Sequence, residues 1–340
     1  MPDPLTALDR SFRAALRLSR ALLRREFRRQ DPALADLMRY ILRKQVASEY
    51  PFVFLNSFCR RPGDARRVRR LAAAVHLLQS STFVTDDLFD RAPLRYGQPA
   101  VHVRYGTSRA VMAATLMQSV AFRVIFEELE RGRFPNRLAV AREFNQIVLD
   151  LYRGQYLDLH YSGDLRMPRR EYRRIIALGG GNHFAHLAKC GALLAGKSRK
   201  EVSRLERFGY HYGMALFLTD DITDAQPAGQ TGKRPAADLK NRRVRLPVLL
   251  ALQMASPNDA AFLRRFYRRL NAPAPRERND LRRATALLRR SGALAVCERE
   301  AERHVSQALE ALRGLRRGAP VARLQWLAET LIEAQNLEGD

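Results

Sequence analysis

Apolar residues recur along most of the chain at intervals of three and four, the spacing of a single buried face on an α-helix. Ala, Leu, Arg and Glu, all strong helix formers, fill most segments, and alternating β-branched runs are nearly absent. The pattern predicts helices over about 5–29, 32–56, 64–90, 107–131, 136–162, 169–195, 199–224, 246–254, 259–271, 279–291, 293–315 and 320–336. Asp64, Asn136 and Ser198 stand where N-caps are expected. Two polar stretches interrupt the pattern, 91–99 and 225–235. No shift in composition marks a linker, so one all-α domain spanning 1–340 is expected.

Composition narrows the picture. At 340 residues and 46% apolar content the chain can bury a large core. The longest uncharged runs, such as Ala110–Phe122, fall short of a membrane span, and no secretory-type leader is evident. Three scattered cysteines, Cys59, Cys190 and Cys297, argue against a disulfide framework or zinc site, and a reducing cytoplasm is expected. The formal charge is +25. Arg doublets recur at helical spacing: Arg24-Arg25 with Arg28-Arg29, Arg169-Arg170 with Arg173-Arg174, and Arg264-Arg265 with Arg268-Arg269. No aromatic stacking motif or glycine-rich signature accompanies them, so nucleic acid is not an expected partner. A solvated basic surface is the plain reading, and peripheral contact with an anionic membrane is the alternative.

Against this basic background two Asp-Asp-x-x-Asp motifs stand out, Asp86-Asp87-Leu88-Phe89-Asp90 and Asp220-Asp221-Ile222-Thr223-Asp224. Each closes a long predicted helix and precedes a basic loop. A spacing of four places Asp86 and Asp90 on one helix face, and Asp220 and Asp224 likewise. Like charges so placed repel, and a bound cation is the simplest compensation. Carboxylate oxygens are hard ligands that suit Mg²⁺, which bridges readily to phosphate groups. Asp86, Asp87, Asp90, Asp220, Asp221 and Asp224 are therefore candidate metal residues. Arg95 and Lys233, in the loops, are candidate donors to a diphosphate.

The chain resembles the trans-isoprenyl diphosphate synthase (polyprenyl synthetase) family. The matching residues are Asp86–Asp90; Arg95-Tyr96-Gly97-Gln98-Pro99; Gly154-Gln155-Tyr156-Leu157-Asp158-Leu159; Gly213 through Phe217 leading into Asp220–Asp224; Gly232-Lys233; Asp238-Leu239; and Leu246-Pro247. The resemblance implies an all-α isoprenoid synthase bundle around a central cavity, usually in a dimer. It also implies three Mg²⁺ ions and ionisation of an allylic prenyl diphosphate to a carbocation. Asp86, Asp90 and Asp220 would ligate metal directly, and Asp87, Asp221 and Asp224 would ligate or orient bound water. Gln155 and Arg243 join Arg95 and Lys233 as diphosphate contacts. Ser81 and Thr82, ahead of Phe83, would floor the pocket. Phe83, Phe89, Tyr156, Phe184, Tyr210 and Phe217 would line it and stabilise cations. A floor of small residues implies a substrate of about C15–C25.

The departures from the family pattern gather on one ligand, the isopentenyl diphosphate that supplies five carbons. The family's Gly-Lys-x-x-Arg segment is here Val46-Ala47-Ser48-Glu49-Tyr50-Pro51, a histidine before the first motif is Gln79, and an Arg-Arg pair is Arg95-Tyr96. Each lost charge-assisted bond is worth roughly 1.5–3 kcal/mol. A Lys-Thr pair on the allylic side is Gly179-Gly180, within a run of three glycines that offers a helix break where backbone could approach substrate. These losses lead to the expectation of a terpene synthase on a polyprenyl synthetase scaffold, with the carbocation cyclised or quenched internally. The alternatives are chain elongation, prenyl transfer to a non-standard acceptor such as an aromatic ring, and a non-catalytic partner subunit.

Overall fold

In the computed structural model, which describes residues 17–22, 25, 32–43, 49–225, 236–268 and 274–336, the backbone is helical almost throughout. The elements are α1 (Pro32–Arg43), α2 (Glu49–Phe58), a 3₁₀ segment (Pro62–Val68), α3 (Arg69–Phe89), β1 (Leu94–Arg95), β2 (Gln98–Pro99), α4 (Val101–Tyr105), α5 (Thr107–Arg131) and α6 (Arg137–His160). Next come α7 (Arg169–Ile176), a π segment (Ala177–Gly181), α8 (Asn182–Leu194), α9 (Arg199–Asp224), α10 (Ala237–Lys240), α11 (Leu246–Met254), α12 (Pro257–Arg268), α13 (Ala274–Arg290), α14 (Ala293–Leu312) and α15 (Ala319–Asn336). The helix expected over 5–29 lies largely outside the described residues.

The chain divides into two compact units, one from 1–144, 187–203 and 316–324, the other from 145–186, 204–315 and 325–340. Neither is a continuous stretch.

In the first unit α3 and α5 pack along their length. Ala72, Ala73 and Ala74 on α3 and Ala110, Ala113 and Ala121 on α5 are fully buried, and such small residues let two helices approach closely. The run Ala110–Phe122 is therefore core on one face. Among the described residues α5 is the one helix long and apolar enough to cross a membrane. Asp64 does not cap α3 as expected. It lies within the 3₁₀ segment, where one carboxylate oxygen accepts the backbone N–H groups of Arg60 and Arg61 at 3.0 Å each. Ser198 does cap: its hydroxyl accepts the Glu201 N–H at 3.3 Å, and Glu201 accepts the Ser198 N–H at 2.9 Å, a reciprocal box.

The second unit's core gathers Tyr172 and Ile176 from α7, Leu218 and Ile222 from α9, and Leu249, Leu263, Leu287 and Cys297 from α11 to α14. The three consecutive glycines do not break their helix. They widen it into a π turn, closed by the Asn182 N–H bonding to the Ala177 carbonyl. The same glycines admit α9. A Cβ on Gly213 would sit 2.4 Å from the Gly180 oxygen, and one on Gly209 would sit 2.3 Å from the Phe184 oxygen. Two backbones touch here without intervening side chains, and the Phe217 ring lies on Gly179 and Gly180.

The arginine stripe of α7 is partly spent on ion pairs. Arg173 meets Glu300 at 3.2 Å, Arg170 and Arg174 meet Glu171 at 3.5 Å each, and Arg169 donates to Gln253 at 2.6 Å. Arg24, Arg28, Arg29 and Arg269 lie outside the described residues. Cys59, Cys190 and Cys297 are free and buried.

Two buried histidines give an acid-sensitivity prediction. Burial lowers His76 to about 4 and His183 to about 3, from an ordinary value of 6.5. Both are neutral when folded and take up a proton on unfolding once the pH falls below about 6.5. Stability is then lost on acidification from 6.5 downwards, with a slope approaching about 1.4 kcal/mol per pH unit for each residue. Urea titrations between pH 5 and 6.5 should show this slope reduced in His76→Gln and His183→Gln. An unchanged slope in both variants would exclude the assignment.

Candidate active site

The first carboxylate cluster forms where α3 ends. Asp86 and Asp90 are half-buried one turn apart, and the Asp90 N–H closes the helix on the Asp86 carbonyl at 2.8 Å. Asp87 points the other way and is 3% exposed. The loop that follows is a two-residue hairpin: Arg95 pairs with Gln98, while Tyr96 at φ 51° and Gly97 at φ 72° make the turn. This hairpin delivers Arg95 to Asp87. Its Nε lies 3.0 and 3.1 Å from the two carboxylate oxygens and its Nη2 lies 2.6 Å from Oδ1. The guanidinium also lies over the Phe83 ring, 4.9 Å from its centroid. Burial raises the Asp87 carboxyl above its ordinary value, and Arg95 pulls it back.

The second cluster forms where α9 ends. Asp220 is exposed, Asp221 is 8% exposed, and Asp224 is half-buried. Asp224 spends both oxygens on the chain: Oδ1 accepts the Ala237 N–H and Oδ2 the Asp238 N–H, each at 2.9 Å, at the start of α10. Asp221 accepts the Tyr172 hydroxyl at 2.6 Å on one oxygen and faces the Arg245 Nε at 3.5 Å on the other. Burial raises both carboxyls. At Asp221 Arg245 opposes the rise, and at Asp224 the charge of Asp238 adds to it.

Arg245 precedes α11 with only 18% of its side chain exposed. It is bonded to Asp158 through Nη1, and its Nε lies 3.2 Å from Asp238. Arg243, expected to contact diphosphate, is 2% exposed and pairs with Asp158 at 3.1 Å. Its guanidinium serves an internal ion pair and does not reach solvent. Gln155 is half-buried on α6, and Lys233 lies outside the described residues.

The pocket candidates differ in environment. Ser81 and Thr82 are buried in α3, with hydroxyls bonded to the Leu78 and Gln79 carbonyls at 2.6 and 2.8 Å. Phe83, Tyr210 and Phe217 are half-buried. Phe184 is wholly buried, edge-on to Tyr212 at 4.9 Å, as core rather than lining. Phe89 is 36% exposed, and Tyr156 is 68% exposed and stacked on His160. Tyr50 and Gln79, where the pattern calls for cations, are buried in the first unit at 9% and 2% exposure.

The site residues that sequence reading misses are Tyr172 and above all Arg245, while Asp238 stands in a matching motif without an assigned role. A signal for Arg245 lies in the carboxylates, since Asp158 and Asp221 are buried with the partly exposed Asp238 beside them, and such a set calls for a cation.

Residues 32–286 match the family model for polyprenyl synthetase. The chain belongs to the polyprenyl synthetase family. It is 28% identical over 276 residues to the short chain isoprenyl diphosphate synthase of Methanothermobacter thermautotrophicus, covering 81% of each chain. It is 31% identical over 256 residues to the geranylgeranyl diphosphate synthase of Mycobacterium tuberculosis, covering 74% of this chain and 70% of the relative. A polyprenyl synthase from Caulobacter crescentus, solved with calcium and isoprenyl diphosphate, superposes with a TM-score of 0.84 at 25% identity over 97% of each chain. The all-α isoprenoid synthase fold and an enzyme of the prenyl diphosphate synthase kind follow.

These relatives overturn one expectation. Internal cyclisation or quenching, as in a terpene synthase, yields a product without diphosphate, whereas the relatives are synthases of prenyl diphosphates. The losses around Gln79 and Tyr96 weaken a binding contribution. They leave both aspartate motifs in place, which either reaction would use, so they do not distinguish one outcome from the other.

Proposed function

We propose that the chain elongates prenyl diphosphates. An allylic diphosphate ionises, the double bond of isopentenyl diphosphate attacks the carbocation, and a new carbon–carbon bond forms. Loss of one proton then restores a double bond, with inorganic diphosphate released and able to take that proton. The observation that carries this reading is the likeness over 81% of both chains to a short chain isoprenyl diphosphate synthase.

Asp86, Asp90 and Asp220 are assigned as Mg²⁺ ligands. Their hard oxygens suit that ion, which needs only one or two carboxylates when phosphate supplies the rest. When bound, Mg²⁺ neutralises the diphosphate and makes it a better leaving group. Arg95, Gln155 and Lys233 are assigned to the diphosphate itself, and Asp87 fixes the direction of Arg95.

The assay pairs allylic diphosphates of two to five isoprene units with and without isopentenyl diphosphate in the presence of Mg²⁺. Longer prenyl alcohols should appear after phosphatase treatment only when the five-carbon unit is present. Its KM should be raised, because two or more charge-assisted bonds are missing and each factor of ten reflects about 1.4 kcal/mol. Hydrocarbon formed without that unit would end this reading.

We also propose a homodimer. On α5, Val111, Met112 and Phe126 are 43%, 59% and 54% exposed along one face, an apolar stripe of the kind that marks an interface. Light scattering should give twice the chain mass for the protein and the chain mass for Phe126→Glu. A monomeric parent protein at micromolar concentration would refute it.

A further inference from the structure

Part of the arginine pattern lacks a counter-charge. On α7, Arg170 and Arg174 meet Glu171 and Arg173 meets Glu300, whereas Arg169 bonds to the neutral Gln253. The Arg169 Nε is buried with no hydrogen-bond partner among the described residues. On α12, Arg264 and Arg268 are exposed one turn apart, and neither pairs with a carboxylate among the described residues. These two stripes, distant in sequence, meet at one cavity of the second unit, between the start of α7, α11 and α12. Arg169, Arg264 and Arg268 line it together with Arg166, which pairs with Asp164 at 2.9 Å. The cavity measures about 720 Å³, and the buried Leu249 and Tyr267 form part of its wall.

Four guanidiniums face one carboxylate here, so three positive charges are unanswered. A concave surface lined by one sign of charge concentrates its counter-ion. Guanidinium presents a planar fork of donors that matches phosphate oxygens, and it keeps its charge at any physiological pH. The volume is that of a small-molecule site and leaves room for more than a bare ion. We propose that this cavity binds a ligand carrying a phosphate monoester or diphosphate group. Arg166, Arg169, Arg264 and Arg268 meet its charge, and Leu249 and Tyr267 take its apolar body. None of these residues has a part in the proposed elongation, so the site stands whether or not that reaction does. The same phosphate chemistry can come from a free metabolite or from a lipid headgroup.

The test titrates the full chain with 1-naphthyl phosphate, a phosphate monoester with an apolar body, by calorimetry in metal-free buffer at low salt. One site per chain is expected. Affinity should fall at least about tenfold in Arg264→Gln/Arg268→Gln, since charge-assisted contacts are lost, and should not change in Arg95→Gln. Circular dichroism checks folding, and Arg166→Gln is a second variant with the same expected direction. Sedimentation with phosphatidylcholine vesicles containing phosphatidic acid separates the two sources. Uptake of the soluble ester together with vesicle binding that the double variant loses assigns the phosphate to a lipid headgroup. Uptake of the ester without vesicle binding assigns it to a free metabolite. Vesicle binding without uptake of the ester means a flat basic surface and overturns the proposal. So does no uptake at millimolar ester, equal uptake by the folded arginine variants, or loss of uptake in Arg95→Gln. Each of these results leaves elongation to its own assay.

Discussion

Asp86→Asn and Asp220→Asn, made singly, are each expected to lower turnover by about 10²–10³-fold, the usual cost of removing one preorganised electrostatic contact to a transition state. The amide keeps the size of the carboxylate but loses the charge assigned above to holding Mg²⁺. Because that charge is needed most as the diphosphate departs, kcat should fall more than KM rises for the allylic substrate. The placement of the motifs supports choosing these two: Asp86 is half-buried at the end of α3, Asp220 is exposed at the end of α9, and Asp87 and Asp221 are turned onto arginines. Steady-state kinetics at saturating Mg²⁺, with thermal melts to confirm folding, make the check. A variant within tenfold of the parent protein would remove that residue from the metal assignment.

The second large effect is on stability. Gly209→Ala and Gly213→Ala each place a methyl 2.3–2.4 Å from a carbonyl oxygen of the facing helix, where neither backbone can rotate away as a side chain would. Forcing extra volume into such a contact costs about 1–3 kcal/mol. For a unit of this size each kcal/mol lowers the melting temperature by about 2–4 °C. The two sites are one turn apart on α9, so the helix can tilt once to relieve both, and the double variant should cost less than the sum. Gly63, where an added methyl would meet nothing within 4 Å, serves as the control, and Gly63→Ala should stay within about 0.5 kcal/mol. Denaturant midpoints for Gly213→Ala and Gly63→Ala that coincide would show that the contact is not tight.

Much of the helical framework is legible in the sequence because its cause is local. Leu246–Met254 follows from a short, almost unbroken apolar run with Pro247 near its start, and the end of α9 at Asp224 follows from the polar loop beyond. The hairpin that carries Arg95 is hidden in a stretch that reads as loop, because Tyr96 is an unusual residue at a left-handed position and the strands are two residues each. Motif spacing points to Arg243 and passes over Arg245. Both arginines are buried against Asp158, and that Arg245 also reaches Asp221 and Asp238 depends on contacts 7 to 87 residues away in the chain. The glycine run suggests a helix opened to substrate. Its neighbour is another helix, a fact held in Gly209 and Gly213 rather than in the run itself. The family is legible from ordered motifs, but the fate of the carbocation is not. Missing cations report how tightly an acceptor is held, not whether one is used.

The π turn at Ala177–Gly181 has the arithmetic of a single inserted residue. A backbone that closes from Asn182 to Ala177 spends one residue more on that turn than an α-helix would. Deleting Gly179 should therefore leave a continuous α-helix in which α7 and α8 keep the facings they have now. A deletion elsewhere in either helix would rotate one facing by about 100° relative to the other. This segment is thus a natural place for the chain to gain or lose a residue without redirecting Tyr172 on one side or Phe184 on the other.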